Sequence, residues 1–540
     1  MSDHDVIVVG AGHNGLICAA YLARAGLDVL LVEARDQVGG CASTVEALGA
    51  RVNVCNCDHL TFRTTPIADE LDLAAHGLRY LDVEPAQLSL SWTGAAPWVL
   101  RHDVDATLDE LRRAHPDEVE GYRRYVAAAG PVAELVLELA AAPPTVPAVA
   151  RRLLDRRGRG ARTLLAWSRR TAVEVLRGFF ASEALLGPVL TTGPAVWGIT
   201  GEHPGTGLAA AGYAMKHVAQ VGRPEGGSGR LTDAVAGAFA AAGGTLRRGA
   251  RVTALLAEAD RIRGVELAGA ADVASAETIT ARAVVVACDP RRAFVEWLRH
   301  PPAGARRLVR RWAGLPAVDG YESKLDAVVA APPRFAGFDG ELVPTTIVAP
   351  SVAGLGAAHR TMLAGGVAAQ PPLFVNVPSV LDPTMRVPSP GASGDDHVLS
   401  LEVLGTPYAR EGGWDDPTEP ERWLQVLGGL AEPGFLDGVR RHRTMTPRDY
   451  ERDFSLVRGH APSFAGGPLA ALAGRRGREL TRYDTPVRGL FLTGAATFPG
   501  AGVWGASGRN AAHVVLDRFG RSVHGISRSG EISRTQNGFG

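Results

Sequence analysis

Residues 5–9 form an unbroken valine-rich run, the pattern of a parallel strand buried on both faces. The polar, glycine-rich stretch GAGHNG follows at 10–15 and predicts a tight turn. Residues 16–25 then have a helical composition closed by Gly26, and 27–32 is a second buried strand. This predicts a βαβ unit within the first forty residues. Further on, residues 68–72, 107–115 and 117–139 read as helices, with a proline-rich break at 141–147. A second α/β stretch begins near Gly226: a helix over 231–241, a turn at Gly243-Gly244, and strands over 245–247, 251–256, 265–268, 278–280 and 283–288. Residues from about 300 to 480 are Pro/Gly-rich and show no clear period. The chain closes with GLFLTGAATFPGAGVWGASGRNAAHVVLDRFG, a strand, a glycine-rich loop and a helix beginning near Trp504. The tail beyond Gly520, rich in Ser, Gly and Arg, is expected to be disordered. There is no internal repeat.

Length and composition narrow the classes. A chain of 540 residues is long for one core and suits two interlocked domains. Lys+Arg and Asp+Glu both total 57, so the basic excess that nucleic-acid binding wants is missing. The five cysteines (Cys18, Cys41, Cys55, Cys57, Cys288) are odd in number and scattered, which argues against a disulfide framework. Cys55 and Cys57 form a C-x-C pair with no second pair downstream, short of a zinc site's four ligands, and no metal is expected. No signal peptide is expected ahead of the first strand, and no apolar run reaches membrane-spanning length. A cytoplasmic protein is expected. The arginine-rich segment 151–177, interleaved with Leu153, Leu154, Leu164, Leu165 and Trp167, is read as a solvated helical face over a substrate domain. Asp155, Glu174, Gly158 and Gly160 interrupt it, so at most peripheral, salt-sensitive contact with anionic lipid is expected.

GAGHNG gains weight from its context. In a βαβ unit Gly10 permits the tight turn, Gly12 lets the backbone approach a pyrophosphate, and Gly15 lets helix and strand pack closely. The helix N-terminus faces the phosphates. Glu33, at the end of the second strand, stands where an acid hydrogen-bonds a ribose, which disfavours NADP. The choice between NAD and FAD falls on the rest of the chain. Glu33-Ala34-Arg35 runs on to Gly39-Gly40, and the closing segment supplies Gly494, Gly500, Gly502 and Gly505 just before a helix. A single NAD site has no need of that second junction. A flavin does, because its reduced ring carries negative charge that a helix N-terminus stabilises. FAD is favoured.

Three stretches, VIVVGAGHNGL…VEARDQVGG, PGTGLAAAGYAMKHVAQVGRPEGGSGRLTDAV and GLFLTGAATFPGAGVWGASGRNAA, resemble the phytoene desaturase-like FAD oxidoreductases. The closest likeness is to the branch of NAD(P)/FAD-dependent or pyridine nucleotide-disulfide oxidoreductase domain proteins. The closing GRNAA differs from the carotenoid enzymes, so the likeness does not extend to a carotenoid substrate. The resemblance implies an α/β fold of monoamine-oxidase-like architecture. In it a Rossmann-type FAD-binding domain (1–75, 225–300 and 480–520) is interleaved with a mixed α+β substrate domain (76–224 and 301–479). It also implies that Gly10, Gly12, His13, Asn14 and Gly15 surround the pyrophosphate, that Glu33, Ala34 and Arg35 lie at the adenosine ribose, and that Gly39, Gly40, Cys41 and Ser43 line the phosphate and ribityl chain. Val252 would meet the adenine. Gly494, Ala495, Gly502, Val503 and Trp504 would face the flavin, leading into Ser507 and Asn510. Ala495 stands where related flavoproteins often carry Asp. The closing loop offers no Cys, His or Tyr, so FAD is expected to be non-covalent.

Flavin dehydrogenation asks little of the protein beyond presenting a C–H bond, excluding water and sometimes supplying a base. Candidate bases are His59, Lys216 and His217, although for each histidine a structural role is the commoner one. The expected activity is dehydrogenation (desaturation) of a small organic metabolite, an apolar one included, by hydride transfer to flavin N5, with O₂, a quinone or another carrier as acceptor. A catalytically silent flavin-fold binding protein and a flavin-dependent isomerase are the alternatives.

Overall fold

The computed structural model describes residues 2–55, 58–269, 276–316, 320, 322–389, 394–460 and 477–522. Cys57 and most of the tail beyond Gly520 lie outside the described residues.

Two seven-stranded sheets organise the chain. In the first, β1 (His4–Val9) pairs in parallel with β2 (Val29–Val32) on one side and with Glu277–Val286 on the other. Thr245–Arg247 extends the β2 edge, and Leu490–Leu492 adds to Glu277–Val286, both in parallel. An antiparallel meander of Val252–Glu258 and Arg261–Leu267 completes the sheet. The apolar runs are explained by burial of both faces. Val6, Val8, Val29 and Leu31 pack beneath α1 (His13–Arg24), the helix Gly229–Ala241 and the closing helix Ala506–Phe519. Ile7, Val9, Leu30 and Val32 face the meander and Phe294. The strands expected separately at 278–280 and 283–288 are one continuous strand. It runs antiparallel to the meander at its start and parallel to β1 at its end, so two pairing environments interrupt a single run.

The second sheet has the strand order Val439–Met445, Glu322–Val329, His397–Leu404, Leu373–Asn376, Thr345–Ala349, Gln87–Ser91, Trp98–Leu100. Most of it lies in the region where no period was evident. One face, with Leu325, Ala327, Leu399 and Leu401, packs with Trp423 and Leu427 of the helix Thr418–Leu430. The opposite face carries polar side chains that are nonetheless buried, among them Lys324, Asp326, Thr345, Asn376 and Glu402. A helical layer between Val104 and Val218 packs around Tyr122, Tyr125, Trp98 and Tyr213. The architecture is α/β with two interleaved domains, as expected. No helix among the described residues is long and apolar enough to cross a membrane.

Candidate functional site

One cavity of about 1850 Å³ runs between the two sheets. Ligand pockets usually occupy roughly 300–1,000 Å³, so this volume has room for a dinucleotide and a second molecule.

The first wall is built by the turn after β1. Gly10 sits at φ +98°, a conformation that L side chains rarely adopt. A Cβ on Gly15 would come within 2.0 Å of the Gly10 carbonyl oxygen, so only glycine lets α1 start that close to β1. At Gly12 the added Cβ would meet nothing within 4 Å, which leaves the backbone bare toward the cavity. The Gly39 N–H donates to the Ala11 carbonyl at 2.8 Å, binding the second glycine pair to the first turn. Glu33 accepts from the Ala11 N–H at 2.7 Å and from the Arg35 N–H at 2.9 Å. It therefore braces the turn in addition to facing the cavity. The Arg35 guanidinium lies 4.3 Å from the Phe454 ring centroid, and its buried Nη1 has no hydrogen-bond partner.

The closing loop forms the adjoining wall. His13 reaches the Gly502 backbone and accepts a hydrogen bond from Asn14 Nδ2 at 2.9 Å; burial pushes its pKa down to about 4, so the ring is neutral. Asn14 Oδ1 accepts from the Gly508 N–H at 3.2 Å across 494 residues of sequence. The two glycine-rich loops, one at each end of the chain, are thereby joined around one space.

Of the residues singled out from sequence, Gly10, Gly12, His13, Asn14, Gly15, Glu33, Ala34, Arg35, Gly39, Gly40, Cys41, Val252, Gly494, Ala495, Gly502, Val503 and Trp504 all line this cavity. Ser43, Ser507 and Asn510 do not. Ser43 is fully buried and donates to the Gly40 carbonyl at 2.7 Å. Ser507 accepts from the Gly494 N–H at 3.0 Å and contacts Thr493 and Thr497, which shapes the closing loop from behind. Asn510 points into the interior, donating to the Ala140 carbonyl at 3.0 Å and to Tyr483. Its neighbour Arg509 pairs with Glu70 through contacts of 2.6 and 2.7 Å and reaches the Ala141 carbonyl. The GRNAA segment thus fastens the closing helix to the helix Val119–Ala140.

The three candidate bases are also placed elsewhere. His59 is fully buried between Tyr80 Oη and Ser228 Oγ, 2.7 Å from each, and burial drives its pKa to about 3. His217 contacts Tyr122 Oη at 2.8 Å and the His102 carbonyl at 2.9 Å, and burial lowers it to about 4. Lys216 donates to Gln87 Oε1 at 2.8 Å, with its pKa brought down to about 8 by burial. None of the three lines the cavity.

Besides Asp58, Asp289 and Glu296, two acids of the second sheet that sequence reasoning missed line it, Glu322 and Glu402. Burial raises both carboxyls, Glu402 to about 7. Their alternation with buried apolar residues was the available signal, hidden in a region with no recognisable period. The arginine-rich segment resolves into the helices Val146–Asp155, Ala161–Trp167 and Ala172–Leu176, and Leu165, Ser168 and Arg169 contribute to the cavity wall. Arg156 is tied down by Glu134 and Glu138.

Comparison with known proteins agrees with this geometry. The NAD(P)-binding Rossmann-like domain family matches residues 8–70. The chain is 29% identical to pyridine nucleotide-disulfide oxidoreductase domain-containing protein 2 of Rattus norvegicus, covering 95% of this chain and 93% of that one. It is 26% identical to the lycopene-forming phytoene desaturase of Pseudescherichia vulneris, over 95% and 99% of the two chains. Cyclohexylamine oxidase from Brevibacterium oxydans shares the fold at a TM-score of 0.59, with 17% identity over 96% of this chain and 100% of that one. The chain thus carries a Rossmann-type dinucleotide domain and is similar almost end to end to oxidoreductases, a phytoene desaturase among them.

Proposed function

We propose that the protein binds FAD without a covalent link and dehydrogenates an organic metabolite with a largely apolar body, passing the electrons to O₂, a quinone or another carrier. The observation that carries this is the meeting of the two terminal glycine-rich loops in one cavity, where Gly12, Gly39 and Gly502 all border the same space. The donor set suits a dinucleotide. The bare backbone at Gly12 and the N-terminus of α1 would meet phosphates, Glu33 would hold the ribose, and the unpartnered Arg35 Nη1 would offer a cationic donor. Bound FAD would supply the hydride acceptor. The chain's own residues bind and orient: Val136, Leu165, Val196, Met215 and Phe374 form an apolar wall that excludes water and holds a substrate beside the closing loop.

Purification tests this directly. Near-stoichiometric FAD is expected after reconstitution, with the yellow colour bleaching anaerobically when the correct substrate is added. A folded protein that takes up no flavin overturns the proposal.

A further inference from the structure

The cavity wall contributed by the second sheet carries a charge arrangement that nothing in flavin binding requires. Strand alternation sets Glu322, Lys324 and Asp326 on one face of Glu322–Val329. The antiparallel register places Lys324 opposite Glu402 and Glu322 opposite Leu404, so the two glutamates are diagonal neighbours. Lys324 is already engaged: its ammonium donates to the Asn53 carbonyl and pairs with Asp326 at 2.9 Å. Asp326 in turn is held by Arg443 at 3.0 Å and by Ser400 at 2.8 Å. The glutamates have no such closure. Glu402 is only 4% exposed, and Oε1 of each glutamate is buried without a hydrogen-bond partner. Buried acceptors left open in this way cost stability, and both residues border the cavity.

We propose that Glu322 and Glu402 form the polar recognition point of the substrate pocket, accepting hydrogen bonds from a hydroxyl or amine on a substrate whose remainder lies against the apolar wall. This names the substrate class for the flavin-oxidoreductase reading and rests on it. Charge counting agrees. Lys324 and Arg443 balance Asp326 and one further carboxylate, so the pair settles most easily with one proton between its two members. Burial raises both carboxyls, with Asp326 and Asp58 adding to the effect at Glu402 and Glu402 adding to it at Glu322, which favours a protonated member of the pair. Such a pair presents an acceptor without burying two uncompensated charges. A purely hydrocarbon substrate would leave both open oxygens unmet.

The test uses the full-length protein with three probes of one shape: benzylamine, benzyl alcohol and toluene. Flavin content is measured first, and a protein without flavin refutes the underlying reading. Probe affinity is then measured by calorimetry on the same protein, so that the two failures are separable. The expected result is binding of benzylamine or benzyl alcohol about tenfold or more tighter than toluene, the gain of a hydrogen bond to a charged acceptor, with the two arms telling nitrogen from oxygen. Glu402→Leu is expected to erase that preference while leaving toluene affinity and flavin content in place. Should Glu402→Leu fold poorly, the isosteric Glu402→Gln is expected to reduce the preference for benzylamine more than that for benzyl alcohol. Equal affinity for all three probes in the wild type, no binding of any of them, or a preference that survives removal of the Glu402 carboxylate overturns the proposal.

Discussion

Replacing Arg509 tests how the closing helix is held. Its side chain is 2% exposed and makes two contacts with the Glu70 carboxylate, at 2.6 and 2.7 Å, plus one of 3.2 Å to the Ala141 carbonyl. Arg509→Leu would keep most of the apolar stem and remove these contacts, together with the guanidinium's contact with the Tyr21 ring. Glu70 would then be left inside with little beyond the Tyr21 hydroxyl. Breaking a buried ion pair costs about 3–5 kcal/mol, chiefly because one charge is stranded. The Glu70 side chain keeps 13% exposure, so the lower end applies, about 3 kcal/mol. The lost carbonyl contact adds about 1 kcal/mol. The double variant Arg509→Leu/Glu70→Leu strands no charge and is expected to recover about 2 kcal/mol relative to the sum of the single changes. Urea denaturation followed by circular dichroism, with flavin release as a second probe, measures all three variants. Strict additivity, or a loss below about 1 kcal/mol for Arg509→Leu, would refute the view that this pair is the fastener.

Glu33→Gln is expected to weaken FAD binding, by about 1.5–3 kcal/mol if one charge-assisted bond is lost, and Glu33→Arg by more; unchanged flavin occupancy in both variants removes Glu33 from the site. The buried neutral histidines predict an acid limb. His59 titrates near pH 3 in the fold against 6.5 unfolded, so below pH 6.5 the unfolded chain binds more protons and stability falls as pH drops, by about 1.4 kcal/mol per pH unit for each such histidine. Unfolding measured at pH 7 and pH 5 should show a shallower slope for His59→Asn than for the wild type, and identical slopes would contradict that assignment. Acid precipitation should leave all flavin in the supernatant, since a tethered flavin would stay in the pellet. Liposome co-sedimentation addresses the helices between Val146 and Leu176. Leu154 is 77% exposed, but Arg156 is occupied by Glu134 and Glu138, so binding to anionic vesicles is expected to vanish at physiological salt, and pelleting that survives it would show a membrane face.

The dinucleotide half of the fold was legible because its strands are buried on both faces and its turns need glycine. Buried parallel strands read as continuous apolar runs, and the spacing of Gly10, Gly12 and Gly15 has a steric cause visible in the sequence itself. The second sheet was not legible, since ESKLDAVV and HVLSLEVL bury Lys324, Asp326 and Glu402, and a pattern that equates polar with exposed misreads such strands. The same limit explains His59 and His217. Residue type suggested chemistry, whereas Tyr80, Ser228 and Tyr122, brought close only by folding, give those rings structural partners. Ser507 and Asn510 stand in a recognisable motif, but motif membership does not tell which way a side chain points.

The bond from Asn14 to Gly508 has a consequence for how the protein is made. A chain emerging from the ribosome finishes α1 early, yet that helix's apolar face meets the closing helix only after nearly the whole sequence has been translated. Contacts of such high sequence separation carry a large loop-closure cost and form late. Until then the nascent chain exposes buried-type residues such as Ile17 and Tyr21, the kind of surface that invites aggregation or chaperone capture. A ribosome stalled before the last helix would therefore hold a chain with both sheets' sequence complete and the ligand cavity still open along one side.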